Sequence, residues 1–324
     1  MLRIARLSKD AVFAGIVFLF ALLPLSAGGR KEAPKEVKVE TAKPVVAVSI
    51  LPQSYFVKRI GGDTATILTL VGPGQSPHTY EPSPRQMEEL SRAKAWIRLS
   101  TEFDDRLKPK VASLYPNLLI VEGTAGVTFR TLEAHEHEEE HTKETDKAAH
   151  DKEKEKGQTH AEIEKDRHTW LGREPAKILA SHVRDTLSKI NPARSQEYQR
   201  NYQAFVQEID SLFESLKKDL EPLKGKPVYV YHPAFGYFLD EFGIVQEAVE
   251  TGGKEPNPQT LAKLIEKAKE DRVKVIFVQA QFPTQAAHTL ARQLGAQVVP
   301  LDPLAPDWLD NIHRMGEALR KVSK

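Results

Sequence analysis

His78, His168, His232 and Asp302 each stand where an ordered element gives way to a loop. His78 lies in GPGQSPHTYEP after an apolar run, and His168 lies in DRHTWL ahead of a helical stretch. His232 follows VYVY directly, Asp302 follows QVVPL directly, and a proline comes next in both cases. Ligand-binding side chains of α/β proteins gather at the carboxyl ends of strands. Flanking prolines and glycines favour loops of fixed shape. Three neutral imidazoles and one carboxylate would make a four-coordinate site suited to Zn²⁺. The four positions are far apart in the chain, so spacing lends no independent support. On the residues alone, each histidine also reads as a loop residue satisfied by backbone hydrogen bonds.

A second group of histidines has a different character. Residues 133–166 hold His135, His137, His141, His150 and His160 among thirteen Asp/Glu and six Lys, with almost no apolar residues. Such a composition cannot bury a core and reads as an exposed or disordered insert. Within it, His137-Glu138-Glu139-Glu140-His141 satisfies both H-E-x-x-H and H-x-x-E-H. A zinc protease needs that motif on an ordered helix with an apolar setting, and here it floats in a run of charge. The insert is therefore a solvated charged loop or a low-affinity zinc collector. His182, His288 and His313 lie within predicted helices and read as packing or solvent-facing residues.

The 324-residue chain contains no cysteine. Disulfides, thiolate zinc sites, iron–sulfur clusters, a cysteine nucleophile and a lipid-modified N-terminal cysteine are excluded. A transition metal must be held by His, Asp, Glu or backbone groups. The formal net charge of +1 gives no reason to expect nucleic acid as a partner. Arg3, Arg6 and Lys9 precede an apolar run over 11–25 that ends in Ser26, Ala27 and Gly28. This pattern predicts an export signal over 1–27, cleaved near Ala27, and hence a periplasmic protein. The run is short for a membrane span, which needs about 20 residues, and contains Pro24. Residues 28–43 are polar and charged without an apolar period and read as a tether.

The candidate ligands need a scaffold, and the rest of the chain predicts one. Apolar runs at 45–51, 65–71, 95–99 and 118–121 alternate with helical patterns at 53–60 and 84–94. This predicts an α/β lobe with a parallel sheet and helical crossovers over 44–190. A helix at 176–190 closes it. Residues 191–220 carry Tyr198, Tyr202, Phe205, Ile209, Leu212, Leu216 and Leu220 at spacings of three and four. They predict a helix of roughly 43 Å, a strut between two lobes. Strands at 228–231, 273–278 and 297–301 with helices at 260–271 and 283–294 predict a second α/β lobe over 221–324. No sequence repeat relates the halves.

The stretches GPGQSPHTYEPSPRQM, DRHTWLGREPAKILA, VYHPAFGYFLDEFGI, TGGKEPNPQTLAKLIEKAKEDRVKVIFVQAQF and VVPLDPLA resemble the metal-specific solute-binding proteins of ABC importers. The likeness covers about residues 44–324 apart from the insert and is most specific in HPAFGYF and GGKEPNP. It implies two lobes joined by a rigid helix, with a metal held in the cleft by three loop histidines and one aspartate. Those positions are His78, His168, His232 and Asp302. Manganese-type members usually carry Glu where this chain has His232, and imidazole suits zinc where carboxylate suits manganese. The His-rich insert is also a habit of the zinc members. Relatives often place Pro before the second histidine and Asp two residues after the tryptophan, where this chain has Arg167 and Gly172.

The resemblance implies a monomeric zinc receptor that delivers its ion to the membrane permease of an ABC importer. It implies capture rather than turnover. Two alternatives use the same residues: a manganese receptor of the same fold, and a zinc-dependent periplasmic hydrolase with water in the fourth position. Asp302 discriminates the hydrolase, because a shell it closes leaves no nucleophilic water. A surface adhesin of the same fold has nothing specific in these residues to favour it.

Overall fold

Strand β5 (Pro227–Val230) shows how the architecture follows from side-chain alternation. Val228 and Val230 face one apolar core, while Tyr229 and the following Tyr231 face another. A strand buried on both faces in this way belongs to a parallel sheet covered by helices on each side. The structure is a computed structural model that describes residues 43–132, 165–250, 254–279, 281–282 and 285–322. The expected signal over 1–27, nearly all of the 28–43 tether and the insert histidines lie outside the described residues. Among the described residues, no helix is long and apolar enough to cross a membrane.

The first sheet contains β1 (Val45–Ile50), β2 (Thr66–Val71), β3 (Ala95–Arg98) and β4 (Leu119–Glu122), parallel in the order β2-β1-β3-β4. Its connections carry α1 (Leu51–Gly61), α2 (Pro84–Ser91) and α3 (Glu102–Leu114). Helices α4 (Arg173–Ile190) and α5 (Ser195–Leu220) follow. The second sheet adds β6 (Val245–Ala248), β7 (Val275–Val278) and β8 (Gln297–Pro300) to β5, parallel in the order β6-β5-β7-β8. Helices α6 (Gly236–Asp240), α7 (Pro258–Glu270), α8 (Gln285–Leu294) and α9 (Trp308–Val322) complete it. The two sheets have the same strand order, so the halves repeat in topology where their sequences show no repeat. The two-lobe α/β class expected from the sequence is the one observed.

The long helix starts later than its periodicity predicts. Pro192–Arg194 forms a 3₁₀ turn, Asn191 makes no side-chain cap, and α5 begins at Ser195. Its 26 residues give a rod of about 39 Å. Tyr198, Phe205, Ile209, Phe213, Leu216 and Leu220 form its buried stripe. One continuous core runs from Val46, Val48 and Phe56 through this stripe to Phe238, Trp308 and Ile312. Helix α9 crosses back onto α5, and Gly316 permits the approach, since a Cβ there would lie 2.3 Å from Leu216 Cδ2. Trp308 packs 5.0 Å from Phe56 of α1 and 6.1 Å from Phe205 of α5, measured between ring centroids. The last helix thus binds both lobes to one core. A smaller core of Tyr229, Leu264, Ala268, Ile276, Ala287 and Leu290 fills the other face of the second sheet.

Periodicity does not reveal α3, α6 or β6. Helix α3 contains Pro109, which disfavours a helix interior. It forms because Phe103, Leu107 and Val111 are buried on one face and Asp104 caps its start, accepting from Thr101 N at 3.3 Å. Strand β6 reads Val-Gln-Glu-Ala and has too little apolar content to stand out.

Candidate metal centre

The loop carrying His78 leaves β2 through Gly72, whose N–H donates to Gln75 Oε1 at 2.8 Å. Gly74 takes a φ of +74°, a left-handed turn that suits glycine. His78 N then donates to Ser76 Oγ at 3.3 Å. The His232 loop is held from the neighbouring strand. Buried Gln279, next after β7, accepts from His232 N at 3.2 Å and donates to His232 O at 2.8 Å. His168 precedes the 3₁₀ turn Thr169–Leu171, which leads into α4. Trp170 Nε1 donates to Pro303 O at 2.8 Å, and Trp308 Nε1 donates to Trp170 O at 2.7 Å. These bonds fix the His168 loop against the chain that carries Asp302.

The three histidines converge. His232 Nε2 lies 3.1 Å from His78 Nε2 and 3.2 Å from His168 Nε2. One ligand atom from each of the three falls within 4.8 Å of the others. His168 and His232 are buried, and His78 is partly exposed at the mouth. Tetrahedral zinc with Zn–N bonds of 2.0–2.1 Å has an N–N edge of about 3.3–3.4 Å. The observed separations are close to that edge. Phe282 stacks on His232 at 4.3 Å, and Trp170 tilts against His168 at 5.4 Å, so apolar rings wall the group.

Each imidazole is backed by a carboxylate at its other nitrogen. Glu250 Oε1 lies 2.7 Å from His232 Nδ1, Asp166 Oδ1 lies 2.9 Å from His168 Nδ1, and Glu102 Oε2 lies 3.4 Å from His78 Nδ1. A carboxylate at Nδ1 selects the tautomer whose Nε2 lone pair is free, and raises its basicity as a ligand. With those tautomers three lone pairs point at one place, an arrangement suited to a metal ion. Burial pushes the Glu102 carboxyl up, but its hydrogen bond to His78 and the field of that ring outweigh this and hold it at about 2. It stays an anion at any working pH.

Asp302 is placed differently. It follows β8 on the surface, outside the three-histidine group. Its Oδ1 accepts from Gln281 Nε2 and from Leu304 N, each at 2.9 Å. Together with Ile50, Gly72 and Leu304 it lines a cavity of about 160 Å³ beside the cleft. Of the helix histidines, His182 donates from Nε2 to Ala125 O at 2.9 Å. The departures at 167 and 172 also have local explanations. Arg167 pairs with Asp105 at 2.6 Å, and a Cβ at Gly172 would meet Tyr237 Cβ at 3.0 Å.

The family model described as zinc-uptake complex component A, periplasmic (ZnuA), matches residues 46–322. The chain belongs to the ZnuA family. A crystal structure of ZnuA superposes with a TM-score of 0.76 at 29% identity, covering 87% of this chain and 100% of that one. A zinc-bound deletion mutant of ZnuA gives 0.75 at 29%, covering 87% and 98%. The zinc-binding protein AdcA of Streptococcus pyogenes serotype M3 is 26% identical over 297 residues, 89% of this chain and 56% of AdcA. The chain thus spans little more than half the length of that relative.

Glu102, Asp166 and Glu250, which back the three rings at Nδ1, are brought forward neither by the sequence pattern nor by the family resemblance. Asp166 had a local signal, a carboxylate two residues before a histidine. Composition places it in the insert, yet it is fully buried. Glu102 and Glu250 are each separated from their histidines by a strand or more, and nothing local marks them.

Burial, with the neighbouring His168 and His78, holds the His232 pKa well below the usual 6.5. As pH falls through about 6.5 the unfolded chain takes up a proton at this residue and the folded chain does not. The associated stability is present above 6.5 and is lost below it, by up to about 1.4 kcal/mol per pH unit. The melting temperature of metal-free protein should therefore fall between pH 7 and pH 5. The fall should be shallower in His232→Gln, as read by scanning calorimetry.

Proposed function

We propose that this chain is a periplasmic receptor that captures Zn²⁺ and hands it to the permease of an ABC importer. The observation that carries the reading is the convergence of three Nε2 atoms, each with its Nδ1 fixed by a carboxylate. The ion exchanges its water shell for His78, His168 and His232. In this reading Asp302 completes the shell, giving up its Gln281 hydrogen bond to do so. A four-ligand shell closed by protein leaves no nucleophilic water, so the chain binds and releases rather than catalyses. An all-nitrogen triad favours zinc over manganese, which prefers oxygen ligands. The match to the ZnuA family, the zinc-bound ZnuA relative and the AdcA likeness support the same cargo and the same extracytoplasmic setting.

Competitive titration tests this. Zinc should bind at one tight site per chain in the presence of excess manganese, measured against a chromophoric chelator. Equal or stronger binding of manganese would overturn the metal assignment. Hydrolytic activity that depends on His78 and His232 would replace the receptor with the enzyme.

A further inference from the structure

Asp166 is fully buried, and both of its carboxylate oxygens are engaged. Oδ1 accepts from His168 N at 3.0 Å and faces His168 Nδ1 at 2.9 Å. Oδ2 accepts from Arg130 Nη1 at 2.8 Å. The Arg130 guanidinium turns its other edge to Asp240 at the end of α6, with Nη2 donating to Oδ1 at 3.2 Å and Nε to Oδ2. The main chain repeats the connection. Asp166 N donates to Arg130 O at 2.9 Å, Arg130 N donates to Tyr237 Oη at 3.0 Å, and Tyr237 Oη donates to Asp166 O at 3.0 Å. Gly236 leaves room for the guanidinium, since a Cβ there would lie 1.8 Å from Arg130 Nη1.

We propose that Arg130 is a positioning residue for the metal: it fixes the Asp166 carboxylate, and through it the angle of the His168 ring. The proposal rests on the receptor reading above. A planar guanidinium holds two carboxylates at fixed angles, which a point charge cannot do. Asp166 sits among buried groups, so losing its cation leaves an uncompensated charge free to reorient. The imidazole it supports then loses its aim at the common point. Arg130 is anchored in turn to Tyr237 and Asp240 in the second lobe. The His168 ligand of the first lobe is therefore oriented from the lobe that carries His232. Arg130 thus ties the orientation of the His168 ring to contacts between the two lobes.

The test compares zinc affinity, metal-free melting temperature and the visible spectrum of the cobalt-substituted full chain. The variants are Arg130→Met, Arg130→Lys and Arg173→Met, with His232→Ala as the site control. Arg173 bridges Asp210, Glu214 and Glu241 without touching Asp166, so it reports what losing a comparable arginine does to the fold alone. Arg130→Met should weaken zinc binding about 10–100-fold and alter the cobalt bands. Arg130→Lys should recover part of the loss, and Arg173→Met should stay within about threefold of wild type. If Arg130→Met does not fold, Arg130→Lys against wild type decides, a loss of threefold or more supporting the role. Wild-type affinity and cobalt bands in the Arg130 variants would overturn it, even with a lowered melting temperature. Zinc binding that His232→Ala leaves intact would instead sink the receptor reading itself.

Discussion

His232→Ala should lower zinc affinity by roughly 10²–10³-fold. Protein zinc sites contribute about 10–16 kcal/mol over four ligands, so each ligand carries on the order of 2.5–4 kcal/mol. A tenfold change in affinity corresponds to about 1.4 kcal/mol. His232 is the ligand to remove because its Nε2 is within 3.2 Å of both others. It is also the most firmly supported of the three, by Glu250 at Nδ1 and by the Gln279 amide at its main chain. Chelator competition reads the effect directly, with His182→Ala as a helix control that should bind as wild type does. A loss below tenfold would mean that the three rings do not share an ion.

Saturating zinc should raise the melting temperature by roughly 6–8 °C. At free zinc 1,000 times the dissociation constant, binding adds about 4 kcal/mol to stability. A chain of this size gains about 1.5–2 °C per kcal/mol. The gain should appear as one shifted transition, because a single core passes from Val46 through α5 to Trp308 and Met315. The triple variant His78→Ala, His168→Ala, His232→Ala should melt at the same temperature with and without zinc. Two separately moving transitions on adding zinc would contradict the shared core.

The sequence disclosed the parts of this molecule that obey short-range rules. Strands such as β1 and β7 are apolar runs, and the α5 stripe recurs at helical spacing, so the α/β class and the strut follow from periodicity. His78 and His232 stand out because each lies in a loop after a strand beside Pro, His168 lies ahead of a helical stretch, and the family resemblance groups the three. What stayed hidden is held by distance. The His232–Glu250 and His78–Glu102 pairs exist only because parallel strands return to the same sheet edge, which no local window contains. The late start of α5 came from Pro192 tightening one turn rather than entering the helix. Composition hides Asp166: it closes a run of acids and lysines, yet its surroundings are those of a core.

Thr131 and Lys165 pair across an isolated antiparallel bridge, and the next residue pair inward, Arg130 and Asp166, is bonded through main chain and side chain. The polypeptide therefore departs and comes back through one doorway. Closing a loop costs free energy that grows only with the logarithm of its length. A longer or shorter connection between Thr131 and Lys165 therefore changes stability little so long as the Arg130–Asp166 bonds beneath the bridge are kept.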